Sequence, residues 1–265
     1  MSNLPSHASV VVIGGGIMGC STLYHLGKLG VSDAILLERN KLTSGTTWHS
    51  AAQVRALRNS QNLTRMIQYS VELYSQLEKE TGQNVGWIQK GSLSIATTAD
   101  RLIHIKRQEA LANAYGLDAT SISSGEALER WPMMNGDDVL GAVWSPDDGR
   151  VSPSDVCSAL IKGARKTDNQ IFENCGVSAV LTKNGKVVGV ETTAGTVMCD
   201  AIAICSGLWS REIGAMAGAE VPVLACEHFY LLTKPIDGIQ GNTPTLSDHD
   251  SHLYIRDDSG GLLVG

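Results

Sequence analysis

The chain has 265 residues, 43% of them hydrophobic, with 28 glycines and a formal charge of −6. That length and composition suit one large α/β domain or two interleaved ones. An acidic chain with no run of basic residues is poorly made to displace counter-ions from a phosphate backbone, which argues against a nucleic-acid groove, although one or two local arginines could still meet a small acidic or zwitterionic substrate.

The N-terminal stretch MSNLPSHASVVVIGGG has neither the basic and apolar regions of a secretory signal nor an Arg-rich transit pattern. No apolar run approaches the roughly 18 residues of a membrane span, so the chain reads as soluble and cytoplasmic. Cys20, Cys157, Cys175, Cys199, Cys205 and Cys226 form no C-x-x-C pair and read as reduced core residues.

In chain order, Ser9 to Ile13 is an apolar, β-branched run of the kind buried on both faces in a parallel sheet. GGGIMG follows, then a helical pattern ending near Gly30, then a second strand in DAILLER. Residues 62–80 form the clearest amphipathic pattern, with Leu63, Ile67, Ser70 or Val71, Tyr74 and Leu77 on one face. GSLSIATT alternates like a strand; helices are expected over residues 99–115 and 125–131, and a strand in VLGAVWSP. Ser152-Pro153 supplies a hydroxyl N-cap and a proline at the first helical position for a helix to about Lys166. Four or five short strands follow, with KNGK and TAGT as turns, and AIAICSGLWS reads as a buried strand ending on Gly207. VPVLACEHFYLLTK and SHLYIRDDSGGLLVG read as later strands. The last residues, GGLLVG, sit inside an apparent strand, so the chain reads as an N-terminal fragment that on its own would bind a cofactor weakly or fold poorly.

Gly14, Gly16 and Gly19 make G-x-G-x-x-G directly between a strand and a helix. The first glycine permits the tight turn, the second lets the backbone approach a pyrophosphate, and the third lets the helix pack on the strand. The helix N-terminus offers N–H groups and partial positive charge to that pyrophosphate. Glu38 closes the next strand 19 residues after Gly19, where it can accept ribose hydroxyls and disfavour a 2′-phosphate. An NAD domain would continue with further βα units. Here the chain leaves and returns, at Val177 and at Cys205–Gly207, as in a discontinuous FAD-binding domain.

At this point the residues become recognisable. VVVIGGGIMGCSTLYHLGKLG, AILLERNKLTSGTTWHSA, GAVWSPDDGRVSPSDVCSALIKGAR and SGLWSREIGAMAGAEVPVLACEHFYLLTK resemble the dimethylglycine/sarcosine dehydrogenase group of the D-amino-acid-oxidase-like flavoproteins. The resemblance covers nearly the whole chain and implies an α/β fold: a Rossmann-like FAD-binding domain (GR2 type), residues 8–90 and 146–218, interleaved with a mixed or antiparallel-sheet substrate domain, residues 91–145 and 219–265. It implies that His49 carries FAD covalently through the flavin 8α-methyl carbon; the plainer reading is an imidazole beside Trp48 that only hydrogen-bonds the flavin or backbone. Thr46 and Thr47 would face the pyrophosphate and flavin, Ile17 and Met18 open the helix under the diphosphate, Arg39 adjoins the ribose acid, and Val177 addresses adenine. Ser206-Gly207 replaces the group's Ala-Gly, and Ala52-Gln53 its Gly-Leu, so Gln53 stands where a flavin contact is in question.

On the substrate side, hydride transfer from an N-methyl amine needs the neutral amine, hence a group that accepts its proton or a site that binds only the free base. Histidine suits that role. His228 and Tyr254 match active-site positions of related enzymes; otherwise they are a strand histidine and a core aromatic. A substrate carboxylate wants a bidentate guanidinium, with Arg55, Arg58 and Arg256 as candidates and Arg58 the best match. Asp248, His249, Asp250 and His252 cluster in sequence, but a strand sends neighbours to opposite faces, so they read as a solvated loop and no metal is expected. The expected activity is FAD-dependent oxidation of a small-molecule amine of the sarcosine or dimethylglycine kind by hydride transfer to flavin N5, with the electron acceptor open. The resulting iminium would hydrolyse to formaldehyde or pass its carbon to tetrahydrofolate through a region outside this chain. The alternatives are a regulatory relative of the pyruvate dehydrogenase phosphatase kind, or an amino-acid oxidase with noncovalent FAD.

Overall fold

Strand β1 (His7–Ile13) opens the structure, a computed structural model that describes residues 4–239 and 241–265. In chain order there follow α1 (Ile17–Lys28), β2 (Ile35–Leu37), β3 (Gln53–Val54), α2 (Gln61–Thr81), β4 (Ser92–Ala96), α3 (Ala99–Ala114), β5 (Thr120–Ile122) and α4 (Ser124–Arg130). Next come β6 (Gly141–Ser145), β7 (Gly149–Arg150), α5 (Pro153–Arg165), β8 (Gln170–Phe172), β9 (Val177–Lys183), β10 (Lys186–Thr192) and β11 (Gly195–Ile204). The chain continues with α6 (Ser210–Met216), β12 (Leu231–Leu232), β13 (Thr245–Asp248), β14 (Leu253–Asp258) and β15 (Gly261–Val264). Single 3-10 turns occupy Thr46–His49 and Gly207–Trp209.

Contacts divide the chain into two units: Met1–Ser50, Leu77–Val85 and Ser152–Glu227, and Ala51–Gln76, Gly86–Val151 and His228–Gly265. Residues 51–76, 86–90 and 146–151, assigned from sequence to the nucleotide domain, group with the second unit, and residues 219–227, assigned to the substrate domain, group with the first.

The first unit holds a six-stranded sheet in the order β8-β2-β1-β11-β10-β9. Strands β8, β2, β1 and β11 run parallel, and β10 and β9 return antiparallel. Val11, Val12 and Ile13 are buried between Ile35–Leu37 on one side and Ile202–Ile204 on the other. A β-branched run buried on both faces is what such a central parallel strand requires. The core gathers Val11, Ile13, Ile35, Leu37, Phe172, Val190, Val197 and Ile213. Helices α1 and α5 pack together. Their contact depends on Gly163, whose Cβ would stand 2.5 Å from the Tyr24 ring. The hairpin expected at KNGK forms between β9 and β10, with Asn184 and Gly185 both at positive φ, as a two-residue primed turn demands.

The second unit holds a seven-stranded sheet in the order β12-β15-β14-β13-β4-β6-β5 and the small β3-β7 ladder. Its cores gather Leu93, Ile95, Trp131, Ala142 and Leu246 in one cluster and Ala96, Ile105, Ala112 and Val143 in another.

Strand β4 forms as expected, with all five residues buried because it lies between β13 and β6, and Ser92 and Ser94 find side-chain partners inside. Three expectations fail here. Leu63 of α2 is exposed and Thr64 takes the inward place, its hydroxyl accepting from Arg58 N and donating to Arg58 O. Ser152 stands at the N-cap of α5 before Pro153, but its hydroxyl caps nothing; its own N–H donates to Val85 O at 2.9 Å. Of the strand expected over residues 221–234 only Leu231–Leu232 forms, pairing with Leu263 and Val264 at the edge of the sheet.

Candidate functional site

The glycine loop joins β1 to α1 inside the first unit. Gly14 has φ +113, and a Cβ there would lie 2.5 Å from Cys205 O, at the end of the neighbouring β11. A Cβ on Gly19 would lie 1.8 Å from Gly14 O, so the first turn of α1 is pressed against the loop it follows. Gly16 occupies the N-cap of α1 with no side chain to offer, and no acid stands in the first turn. Such an end is made to receive an external anion.

Two side chains fasten this loop. Glu38 accepts from Gly15 N–H through Oε2 (2.7 Å) and from Asn40 N–H through Oε1 (2.8 Å). A carboxylate has about four acceptor positions, so these bonds leave Glu38 capacity for ribose hydroxyls while tying the loop to the end of β2. Thr47 Oγ1 accepts from Ile17 N–H at 3.0 Å and keeps its O–H to donate. Ser206 donates to Ile13 O at 3.1 Å and so braces the loop against the end of β1.

Around the loop runs a cavity of about 580 Å³. Gly14, Gly16, Ile17, Met18, Glu38, Arg39, Thr46, Thr47, Val177, Ser206 and Gly207 line it, which brings eleven of the sequence-assigned cofactor residues together. Gly19, Trp48 and His49 do not line it; the Trp48 and His49 rings lie exposed with centroids 3.7 Å apart. Among the lining residues that the sequence did not single out is Trp209, over whose ring the Arg39 guanidinium sits at 4.0 Å. Nothing in the spacing of the sequence marks that pair, which forms across 170 residues of chain.

The cradle fits a dinucleotide such as FAD. Its glycines stand where a Cβ would collide, the uncapped helix end suits a diphosphate, and Glu38 suits a ribose.

In the second unit, His228 and Tyr254 meet. His228 Nε2 and the Tyr254 hydroxyl are 2.9 Å apart, and the rings are parallel within 8°. Burial, then Tyr230, raises the phenol above its ordinary range, with Arg256 opposing. Tyr254 therefore stays protonated near neutrality, and the proton acceptor of the pair is a ring nitrogen of His228.

The three arginines separate by environment. Arg256 is paired with Asp258 at 3.0 Å and donates to Asp257 O. Arg55 is held by the Ser247 hydroxyl (2.5 Å) and by Ser94. Arg58 donates to Leu57 O at 2.7 Å and is half-buried. Burial lowers the affinity of both Arg55 and Arg58 for their protons, with Asp148 opposing. Gln53, unexplained by sequence, pairs with Arg150 between β3 and β7 and donates to Ile255 O at 3.3 Å, beside Tyr254. It belongs to the second unit and is not among the cavity residues. The DHDSH loop is pinned: Asp250 accepts from Arg101 at 2.9 Å and from Thr97 at 3.1 Å. Among the described residues no helix is long and apolar enough to cross a membrane.

Comparison with known proteins agrees with this geometry. The chain is 42% identical to mouse (Mus musculus) mitochondrial sarcosine dehydrogenase over 268 residues, covering 99% of this chain and 29% of that protein. It is 43% identical to the mouse mitochondrial pyruvate dehydrogenase phosphatase regulatory subunit, covering 99% and 30%. The chain thus spans under a third of the length of these relatives. L-proline dehydrogenase from P. horikoshii superposes with a TM-score of 0.89 at 27% identity, over 99% of this chain and 70% of that one. The family model for DAO, FAD dependent oxidoreductase, matches residues 9–265. The chain belongs to the DAO family of FAD-dependent oxidoreductases.

Proposed function

We propose that this chain carries the flavin and amine sites of an FAD-dependent amine dehydrogenase or oxidase that acts on an N-methylated glycine-type amine. The observation that carries the reading is the 2.9 Å contact between His228 and Tyr254. It joins a proton acceptor to a phenol held neutral, the pairing that binding an amine as its free base requires. Gly14, Gly16, Glu38, Thr47 and Ser206 would hold the dinucleotide, with Arg39 and Trp209 beside it. FAD, when bound, supplies the hydride acceptor, flavin N5.

The chain's own residues supply the rest. Arg58 orients the amine through its carboxylate. His228 takes the ammonium proton. The N–CH₃ carbon then loses hydride to leave an iminium, which water converts to formaldehyde and the demethylated amine. Transfer of that carbon to tetrahydrofolate would belong to residues outside this chain. The test is anaerobic flavin bleaching of the full-length protein. Sarcosine or dimethylglycine should bleach it within seconds; a flavin that stays oxidised with every N-methyl amine refutes the reading. That second outcome favours a regulatory relative, which the 43% identity to the phosphatase regulatory subunit motivates.

We further propose that His49 tethers the flavin through its 8α-methyl carbon. Support comes from its place in TTWH at the end of a 3-10 turn whose Thr47 fastens the helix end. Acid precipitation of full-length protein should leave the yellow colour in the pellet. His49→Ala should release all of it to the supernatant; colour free in the wild-type supernatant overturns the tether and leaves noncovalent FAD.

A further inference from the structure

Asp148 is only 3% exposed, yet no arginine or lysine is bonded to it among the described residues. Its Oδ1 accepts from Ala56 N–H at 2.8 Å and its Oδ2 from the Ser92 hydroxyl at 2.6 Å. Its backbone carbonyl accepts from Gly91 N–H at 2.9 Å. Ala56 lies between Arg55 and Arg58, so the carboxylate is clamped to the segment that carries both cations. Among the described residues Arg55 is held only by the neutral hydroxyls of Ser247 and Ser94, and its Nε is buried with no partner. Burial pushes the Asp148 carboxyl up, opposed by the Ser92 hydroxyl, the Ala56 N–H, Arg55 and Arg58; with the carboxylate ionised, the charge facing this segment is a sum of three: Arg55, Arg58 and Asp148. Arg150 and Asp257, 2.6 Å apart, cancel, as do Arg256 and Asp258. His249, which also faces Arg55, has its proton affinity lowered by burial and by Arg55, so it is neutral near pH 7. One unit of positive charge remains.

We propose that Asp148 is a specificity-determining positioning residue: it is the counter-charge that leaves Arg55 and Arg58 one net positive charge, so that the site accepts amines with one carboxylate and discriminates against those with two. The inference rests on the reading that Arg58 meets the substrate carboxylate. A second carboxylate brought to a site of net charge +1 is unpaired in a partly desolvated place, which costs more than it gains. Removing the buried negative charge should reverse that balance, because charges a few ångströms apart in a protein act through an effective dielectric far below that of water.

The test uses the full-length holoenzyme with sarcosine as substrate and iminodiacetate, the same glycine amine with a carboxymethyl in place of the methyl, as competitor. The readout is the ratio of the iminodiacetate inhibition constant to the sarcosine KM. Asp148→Asn keeps an acceptor for Ala56 N–H and should lower that ratio by about tenfold. Arg55→Met takes the sum to zero and should raise it, which keeps the test decisive where Asp148→Asn fails to fold. A merely structural Asp148 would leave the ratio unchanged in both variants, and that result overturns the inference. Arg58→Gln separates the two levels. If it raises the sarcosine KM while Asp148→Asn and Arg55→Met leave the ratio fixed, the carboxylate reading stands and the charge sum falls. If it leaves the sarcosine KM unchanged, the carboxylate reading itself falls and the inference with it.

Discussion

Gly19→Ala is expected to abolish flavin retention. The added Cβ would stand 1.8 Å from Gly14 O and 3.0 Å from the carbon of the same carbonyl. Both obstacles are backbone, so no rotamer can relieve the contact. The first turn of α1 must move away from the loop, and with it the N–H groups that would receive the diphosphate. Overpacking of this kind costs on the order of 1–3 kcal/mol in folding. The affinity for FAD should fall by more than about a hundredfold, since diphosphate binding depends on the aligned helix end. Gly16→Ala is the graded control. Its Cβ would meet only Thr47 Oγ1, at 2.9 Å, and a threonine side chain can turn. Its melting temperature should stay nearer the wild-type value than that of Gly19→Ala. Flavin content per protein and thermal melts of the full-length variants check both. A Gly19→Ala protein with stoichiometric flavin would mean that the loop is not the diphosphate cradle.

How far the sequence announced all this follows from the range of the interactions involved. The nucleotide unit was legible because its signals are local: a β-branched run, three glycines at fixed spacing and an acid at the end of the next strand all act within about thirty residues. The Asn184-Gly185 hairpin was legible for the same reason. What failed depends on partners distant in the chain. The burial of Ser92 and Ser94 was not legible, because Asp148 and Arg55, which take their hydroxyls inside, are distant in the chain. Thr64 displaced Leu63 inward because one hydroxyl there satisfies both backbone groups of Arg58. The Arg39–Trp209 stack joins a residue after β2 to one after β11. The hydrogen bond of Gln53 to Ile255 O, across 202 residues of chain, was likewise not legible. The candidate site is thus a mixture. The cofactor cradle is written in spacing, whereas the buried polar network of the second unit is written only in three dimensions.

His228→Gln is expected to lower kcat for amine oxidation by about 10²–10⁴-fold, the usual worth of a positioned proton acceptor. The residue is exposed, so the substitution should fold like the wild type. Glutamine can keep a hydrogen bond to the Tyr254 hydroxyl but cannot take the ammonium proton. Tyr254→Phe removes the partner rather than the acceptor and should cost less, about tenfold, in line with one lost hydrogen bond to a reacting group. The pH profile tells the two roles apart. Burial keeps the Tyr254 phenol above its ordinary range, so its ionisation adds no limb near neutrality. Full-length Tyr254→Phe should keep the wild-type pH profile at reduced height. His228→Gln should leave a rate that climbs only as the amine itself loses its proton. If His228→Gln retains both the rate and the pH profile of the wild type, the proton leaves the amine by another route, and the pair serves to orient the substrate.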